Sequence, residues 1–252
     1  AIGTSLVAFQ DDIVRPFFKA NILQGGFYLI FSAVLDAAGL VAIIGIVMAI
    51  WRRYVTKPSR LDNKTDDAIT LVWILVVLIT GFLVEGARIA STRPDFEVWS
   101  FVGWITSYLF LGLSPDGIKI THKFFWYLHM LISFGLIAYI AYSRLIHIVT
   151  SSLNMMFRGV EDTPRGAIAP IEDFENAEEF GINSIENFTW RQIFDLDACT
   201  RCGRCQDLCP AYATEKPLSP KQFIQDLKAE WERATSGIKN EDGIIDNIIQ
   251  EE

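Results

Sequence analysis

Apolar residues in this chain run in long blocks rather than in alternation. From Gly26 to Ile50 the only charge is Asp36, and the block ends in Trp51-Arg52-Arg53-Tyr54, an aromatic and basic anchor suited to a membrane interface. A second block runs from Ala68 to Ala90. Each is long enough for one helix across a hydrocarbon core of about 30 Å. Residues 98 to 113 are apolar and aromatic but too short for a full crossing, so the pattern predicts an interfacial or re-entrant helix there. A last block, His122 to Val149, predicts one more crossing helix.

After Thr150 the chain turns polar and acidic as far as Asn187, with Asp162-Thr-Pro-Arg-Gly and Ala169-Pro-Ile-Glu-Asp-Phe marking loop. Ser219 followed by Pro220 predicts the cap and first position of a further helix. The expectation is an all-α protein with three parts. Residues 1 to 149 form a transmembrane helical bundle, 150 to 187 an acidic linker, and 188 to 252 a small α-helical ferredoxin-like domain. The opening Ala1 to Phe9 reads as the tail of a helix already begun, so a longer protein is expected.

Composition sharpens the division. The 252 residues are 51% hydrophobic with a mean hydropathy of +0.28, too apolar for an ordinary soluble domain. Residues 1 to 148 carry a net charge of +2 and the remainder −10. An acidic soluble part excludes a phosphate-binding footprint, hence no nucleic acid, and suits protein partners. The loop after the first block holds Arg52, Arg53, Lys57, Arg60 and Lys64. The positive-inside rule assigns it to the cytoplasm, so the first block enters, the second returns, and the last delivers the acidic region to the cytoplasm.

All four cysteines, Cys199, Cys202, Cys205 and Cys209, lie in one C-x2-C-x2-C-x3-C-P run ending at Pro210. That is the spacing of a [4Fe-4S] ferredoxin loop. A zinc site would more naturally use two separated pairs, and a disulfide framework belongs to small secreted domains. Either Cys209 closes a single cluster, or it serves a second whose other ligands come from another copy of the motif.

All three histidines, His122, His129 and His147, fall in the last apolar block. In one continuous helix, the 18 residues from His129 to His147 make five turns, so both imidazoles would share a face about 27 Å apart. A membrane histidine needs a partner, and axial ligation of b haem supplies one. Packing or interhelical hydrogen bonding is the plain alternative. His122, nearer the boundary, is a weaker candidate for redox or quinone chemistry. Asp36 has no evident partner in sequence, which suggests proton delivery to a quinone or a hydrogen bond to a helix break. Glu85 and Arg88 can pair across one helical turn. Arg144 could meet a haem propionate or snorkel to headgroups.

Trp126-Tyr-Leu-His129 with Ile140-Ala-Tyr-Ser-Arg144-Leu-Ile-His147-Ile resembles the last helix of the cytochrome b subunit of respiratory nitrate reductases. The resemblance implies two haems, the cytoplasm-side one on His147 and the outer one on His129. In that family an earlier helix supplies the opposing ligands from two histidines ten residues apart; here Thr4 stands at the nearer position and the other would precede Ala1. Leu196-Asp-Ala-Cys199-Thr-Arg-Cys202-Gly-Arg-Cys205-Gln is similar to membrane-bound heterodisulfide-reductase-like iron-sulfur proteins, some of which link electron-transferring flavoprotein to menaquinone. In that family a second cysteine motif usually follows the first.

The expected function is a module of the cell inner membrane that carries electrons between a cytoplasmic redox protein such as electron-transferring flavoprotein, the cluster, b haem and a menaquinone-type quinone, alongside other subunits. Two other readings keep the cluster. One makes the membrane part a passive anchor for a thiol or disulfide reductase without haem, and the other makes the chain a non-catalytic assembly subunit.

Overall fold

The computed structural model describes residues 9–19, 23–157, 182 and 184–235. All regular structure among these residues is helical. The chain divides into two compact units: residues 1–57 with 63–139, and residues 58–62 with 140–252.

In the first unit a π-helical segment, Gln10–Phe18, precedes three long helices: α1 (Gly25–Trp51), continued by a π-helical turn to Thr56, α2 (Thr65–Thr92) and α4 (Pro115–Ile140). All three have the length and hydropathy of membrane spans. Between α2 and α4 lie a 3-10 turn at Asp95–Trp99, the short helix α3 (Phe101–Ser107) and a second 3-10 turn to Phe110. This is the short apolar insertion that the sequence pattern predicts. The burial is inside out relative to a water-soluble bundle. On α1 the buried residues are Ser32 and Asp36, while Val41 and Met48 are 67% and 65% exposed. Apolar side chains point outward and polar ones turn inward, the arrangement that a hydrocarbon solvent dictates.

Asp36, only 2% exposed, fixes the short helix. Its Oδ2 accepts hydrogen bonds from the backbone N–H groups of Val102 at 2.7 Å and Gly103 at 3.1 Å. The start of α3 therefore finds its missing acceptor on α1. Gly103 also admits Glu85 of α2, whose carboxyl carbon would stand 2.7 Å from any added Cβ. A second cluster lies alongside. Arg88 forks onto Glu97 with bonds of 2.6 and 3.0 Å, while Tyr28 and Ser100 donate to the same carboxylate at 3.0 and 3.3 Å, and Ser100 meets Ser32. Asp36 thus bonds the backbone at a helix start, in keeping with the second of the two tasks its sequence position suggests. Arg88 pairs with Glu85 at 4.0 Å, as the spacing allows, and engages Glu97 more closely. At the end of α2, Arg93 takes a left-handed conformation and stacks its guanidinium 4.9 and 4.7 Å from the rings of Trp104 and Tyr108.

The second unit contains a 3-10 turn at Arg144–Ile146, α5 (His147–Met156), a turn at Ile185–Asn187, α6 (Trp190–Asp197), the short α7 (Arg204–Asp207) and α8 (Pro210–Ala213), and α9 (Pro220–Thr235). Ser219 caps α9 as its sequence indicates, accepting from Gln222 N–H at 3.1 Å. The single helix expected from His122 to Val149 is not formed. It begins earlier, at Pro115, and ends at Ile140; Ser143 then adopts an extended conformation (φ −117°, ψ 173°) and its hydroxyl accepts from Leu145 N–H. A serine side chain that bonds the following backbone competes with helix continuation. His129 and His147 therefore lie on different helices, and the shared five-turn face does not exist. Residues 150–156, expected as linker, are helical because α5 packs on α6. Thr150 donates to the Asp197 carbonyl at 3.2 Å, and Arg191 donates to Asn154 at 2.9 Å. Residues 158–181 of the expected linker, Thr4 and the chain beyond Thr235 lie outside the described residues.

Replacing Asp36 with Leu is expected to strip two buried backbone donors of their acceptor, at a cost of about 2 to 4 kcal/mol. Asp36→Asn, which keeps a carbonyl acceptor, should lose less. Thermal unfolding in detergent micelles checks the order.

Candidate functional site

The cysteine loop is built from pieces distant in sequence. Thr189 caps α6 by accepting from Gln192 N–H, and the Gln192 side chain returns the bond to Thr189 N–H, so the helix leading to Cys199 is fixed at its start. Gly203, between Cys202 and Cys205, has φ +74°, and an added Cβ would stand 2.8 Å from the Arg60 carbonyl oxygen. Only glycine satisfies both demands. Residues 58–62 pack directly on this loop: Arg60 pairs with Asp207 at 2.8 Å, and Lys221 of α9 bonds the Arg60 carbonyl at 3.0 Å and the Asp62 carboxylate. The segment linking α1 and α2 thus forms part of the cysteine-loop unit.

The four thiols are free of disulfides. Among the described residues no three His, Cys, Asp or Glu side chains converge into a ready-made metal cage. The donor set nevertheless suits an iron-sulfur cluster. The Arg204 backbone N–H, helped by the Thr200 hydroxyl and the Arg204 charge, holds the Cys202 thiol below the usual thiol range despite some burial. Gln225 Nε2 lies 3.5 Å from Cys199 Sγ. N–H donors aimed at sulfur stabilise thiolates and tune a cluster.

The histidines separate. His122 sits two turns into α4, half-buried. His129, a further two turns along, has Nδ1 2.9 Å from the Thr80 hydroxyl of α2. His147 opens α5, with Nδ1 2.5 Å from the Arg144 carbonyl oxygen. A carbonyl can only accept, so Nδ1 of His147 carries a proton, and in the neutral imidazole the lone pair is then on Nε2. That is the tautomer a metal-ligating histidine adopts, and it fits b-haem ligation. Arg144 is half-buried beside it.

A cavity of about 550 Å³ opens in the first unit, lined by Leu23, Leu29 and Phe96 with Tyr28, Arg88 and Glu97. Sequence reasoning missed this site, because neither the Arg88–Glu97 fork nor the contact with Tyr28, 69 residues from Glu97, leaves a periodic signal. The docking of Arg60 and Lys221 was equally hidden.

Residues 17–161 match the model of the nitrate reductase gamma subunit. The chain belongs to that family. Residues 190–211, which include all four cysteines, match a 4Fe-4S binding domain. This gamma-family chain is 40% identical over 218 residues to a protein of Syntrophomonas wolfei named EtfAB:quinone oxidoreductase, covering 82% of the chain and 30% of that relative. It is 26% identical to a probable iron-sulfur-binding oxidoreductase, FadF, of Bacillus subtilis, over 82% of the chain and 29% of the relative. It is also 29% identical over 119 residues to a polypeptide of the dihydromethanophenazine:CoB–CoM heterodisulfide reductase of Methanosarcina acetivorans, covering 47% of the chain and 38% of that polypeptide. The chain thus spans under a third of the length of the first two relatives. No solved structure matches it.

Gly203→Val is expected to lower iron content and bleach cluster absorbance, whereas Gly45→Val, at a position with open space, should leave both intact; iron analysis and visible spectra decide. Burial opposes ionisation of Glu97, but the Arg88 guanidinium, with Tyr28 and Ser100, outweighs it and holds the carboxyl below its ordinary range. Its stabilisation is therefore complete above about pH 4.3, the unfolded value, and lost as pH falls through the depressed folded value. Glu97→Gln should remove that acid-labile part of the stability, as read from unfolding midpoints across an acid pH series.

Proposed function

We propose that this chain is the membrane and cluster-bearing portion of a quinone-linked oxidoreductase. It moves electrons between a cytoplasmic redox protein such as electron-transferring flavoprotein, a [4Fe-4S] cluster, b haem and a menaquinone-type quinone. One observation carries this reading: a gamma-family membrane region and a 4Fe-4S segment are joined in one chain, and the likeness to the protein named EtfAB:quinone oxidoreductase runs over 82% of it.

Several features of the residues support the parts. Cys199, Cys202 and Cys205 hold one cluster, with Cys209 closing it or serving a second. Residues 58–62, within the basic segment between α1 and α2, pack with the cysteine loop in one unit. The Arg and Lys content of that segment assigns it to the cytoplasm, where the acidic domain meets a soluble partner. His129 and His147 serve as haem ligands through Nε2, and Arg144 pairs with a propionate. A bound b haem supplies one-electron transfer between two oxidation states of iron.

The cavity offers the quinone a seat. Leu23, Leu29 and Phe96 provide apolar walls, and Arg88 has N–H groups beyond those spent on Glu97 to donate to a quinone carbonyl. Asp36 is committed to the start of α3, so His122 is the better candidate for proton exchange.

The similarity to a heterodisulfide reductase polypeptide favours, as a second reading, a thiol or disulfide reductase whose membrane part carries no haem. His147→Ala separates the two. Under the first reading it abolishes a b-type haem spectrum and leaves the cluster EPR signal; an unchanged spectrum and activity would sustain the second. Leu29→Trp, which fills the cavity, should raise KM for a menaquinone analogue about tenfold while leaving reduction of the cluster from the soluble side unaltered, by steady-state and single-turnover kinetics.

A further inference from the structure

Thr80 is buried on α2, at 6% exposure, with its hydroxyl facing His129 of α4. A threonine hydroxyl owns one proton. Here that proton is directed to the Val76 carbonyl at 2.8 Å, with the Val77 carbonyl at 3.1 Å, the back-bonding typical of threonine inside a helix. With its proton so directed, Thr80 presents lone pairs to the imidazole, and Nδ1 of His129 donates across the 2.9 Å contact. The proton sits on Nδ1, and Nε2 keeps its lone pair.

The surroundings hold this pair in place. Trp73, two turns before Thr80, donates from Nε1 to the Ile132 carbonyl at 3.0 Å and stacks on Tyr139 at 5.2 Å, while Tyr139 donates to Asp66. A Cβ at Gly135 would stand 3.0 Å from the Trp73 indole, and one at Gly81 would meet His129 Cε1 at 3.5 Å. These contacts join α2 and α4 on either side of the imidazole.

We infer that Thr80 is the positioning residue of His129, fixing the tautomer and rotation of its ring so that Nε2 is presented to a haem iron. The inference rests on the haem reading above. An acceptor at Nδ1 makes the imidazole a stronger donor to iron, which favours the ferric state. Removing the acceptor should shift the balance toward ferrous iron.

The experiment is a potentiometric titration and low-temperature EPR of the full-length protein carrying Thr80→Val. The expected result is an upward shift of one b-haem midpoint, equivalent to about a tenfold change in the ferrous-to-ferric ratio at fixed potential, with altered low-spin g values. Thr80→Ser should restore both, while the second haem and the cluster signal stay unchanged. Selective loss of one haem in Thr80→Val, rescued by Thr80→Ser, supports the inference equally. Unchanged midpoints and g values in Thr80→Val overturn it. Should the valine variant not accumulate, Thr80→Ala removes the same acceptor without added bulk and is read by the same criteria. Absence of b haem from the unsubstituted protein overturns the haem reading and this inference with it, an outcome visible before any substitution is made.

Discussion

The first unit is organised by a single demand of its solvent. Hydrocarbon offers no hydrogen bonds, so every backbone N–H in it must find an acceptor within the protein. A long helix meets that demand internally, but α3 is seven residues long and starts beside the spans, leaving open donors. Asp36 of α1 accepts two of them, and its depth in an otherwise apolar helix follows from that task. Gly103 lets Glu85 approach the same point, and the Arg88–Glu97 fork, with Tyr28, ties the preceding turn to both α1 and α2. The polar residues of this unit are the ones its helices share. Its apolar residues are mostly directed outward.

Different physics governs the second unit, where short helices surround a loop of thiols and apolar burial is modest. Ion pairs and backbone contacts do more of the joining: Arg60 with Asp207, Lys221 with Asp62 and with the Arg60 carbonyl, and Lys228 with Asp197 at 3.0 Å. Exposed pairs of this kind are individually weak. The closer constraint is at Gly203, where backbone conformation and the approach of Arg60 both exclude a side chain. The cysteine loop is consequently shaped by a segment that enters the sequence about 140 residues earlier.

His129 and His147 meet different acceptors at Nδ1. A backbone carbonyl serves His147, and a threonine hydroxyl whose proton is spent elsewhere serves His129. Both arrangements leave Nε2 as the basic nitrogen. A carbonyl cannot be removed by substitution without altering the backbone, whereas a hydroxyl can, so the imidazole on α4 is the one whose electronic character is open to change through a side chain.

The sequence by itself determined the spans, the short helix between the second and third, the cap at Ser219 and the cluster motif, because each depends on composition or spacing within a few turns. It also held the signal for the break after Ile140, in Ser143, but hydrophobic periodicity passed over it: a capping serine changes no apolar position. Partnerships between residues far apart in the chain were decided by the tertiary structure alone. Asp36 with α3, Tyr28 with Glu97, Thr80 with His129 and Arg60 with the cysteine loop connect positions 49 to 147 residues apart. No local pattern encodes them, since a buried polar group is satisfied by whichever acceptor packing brings within about 3 Å.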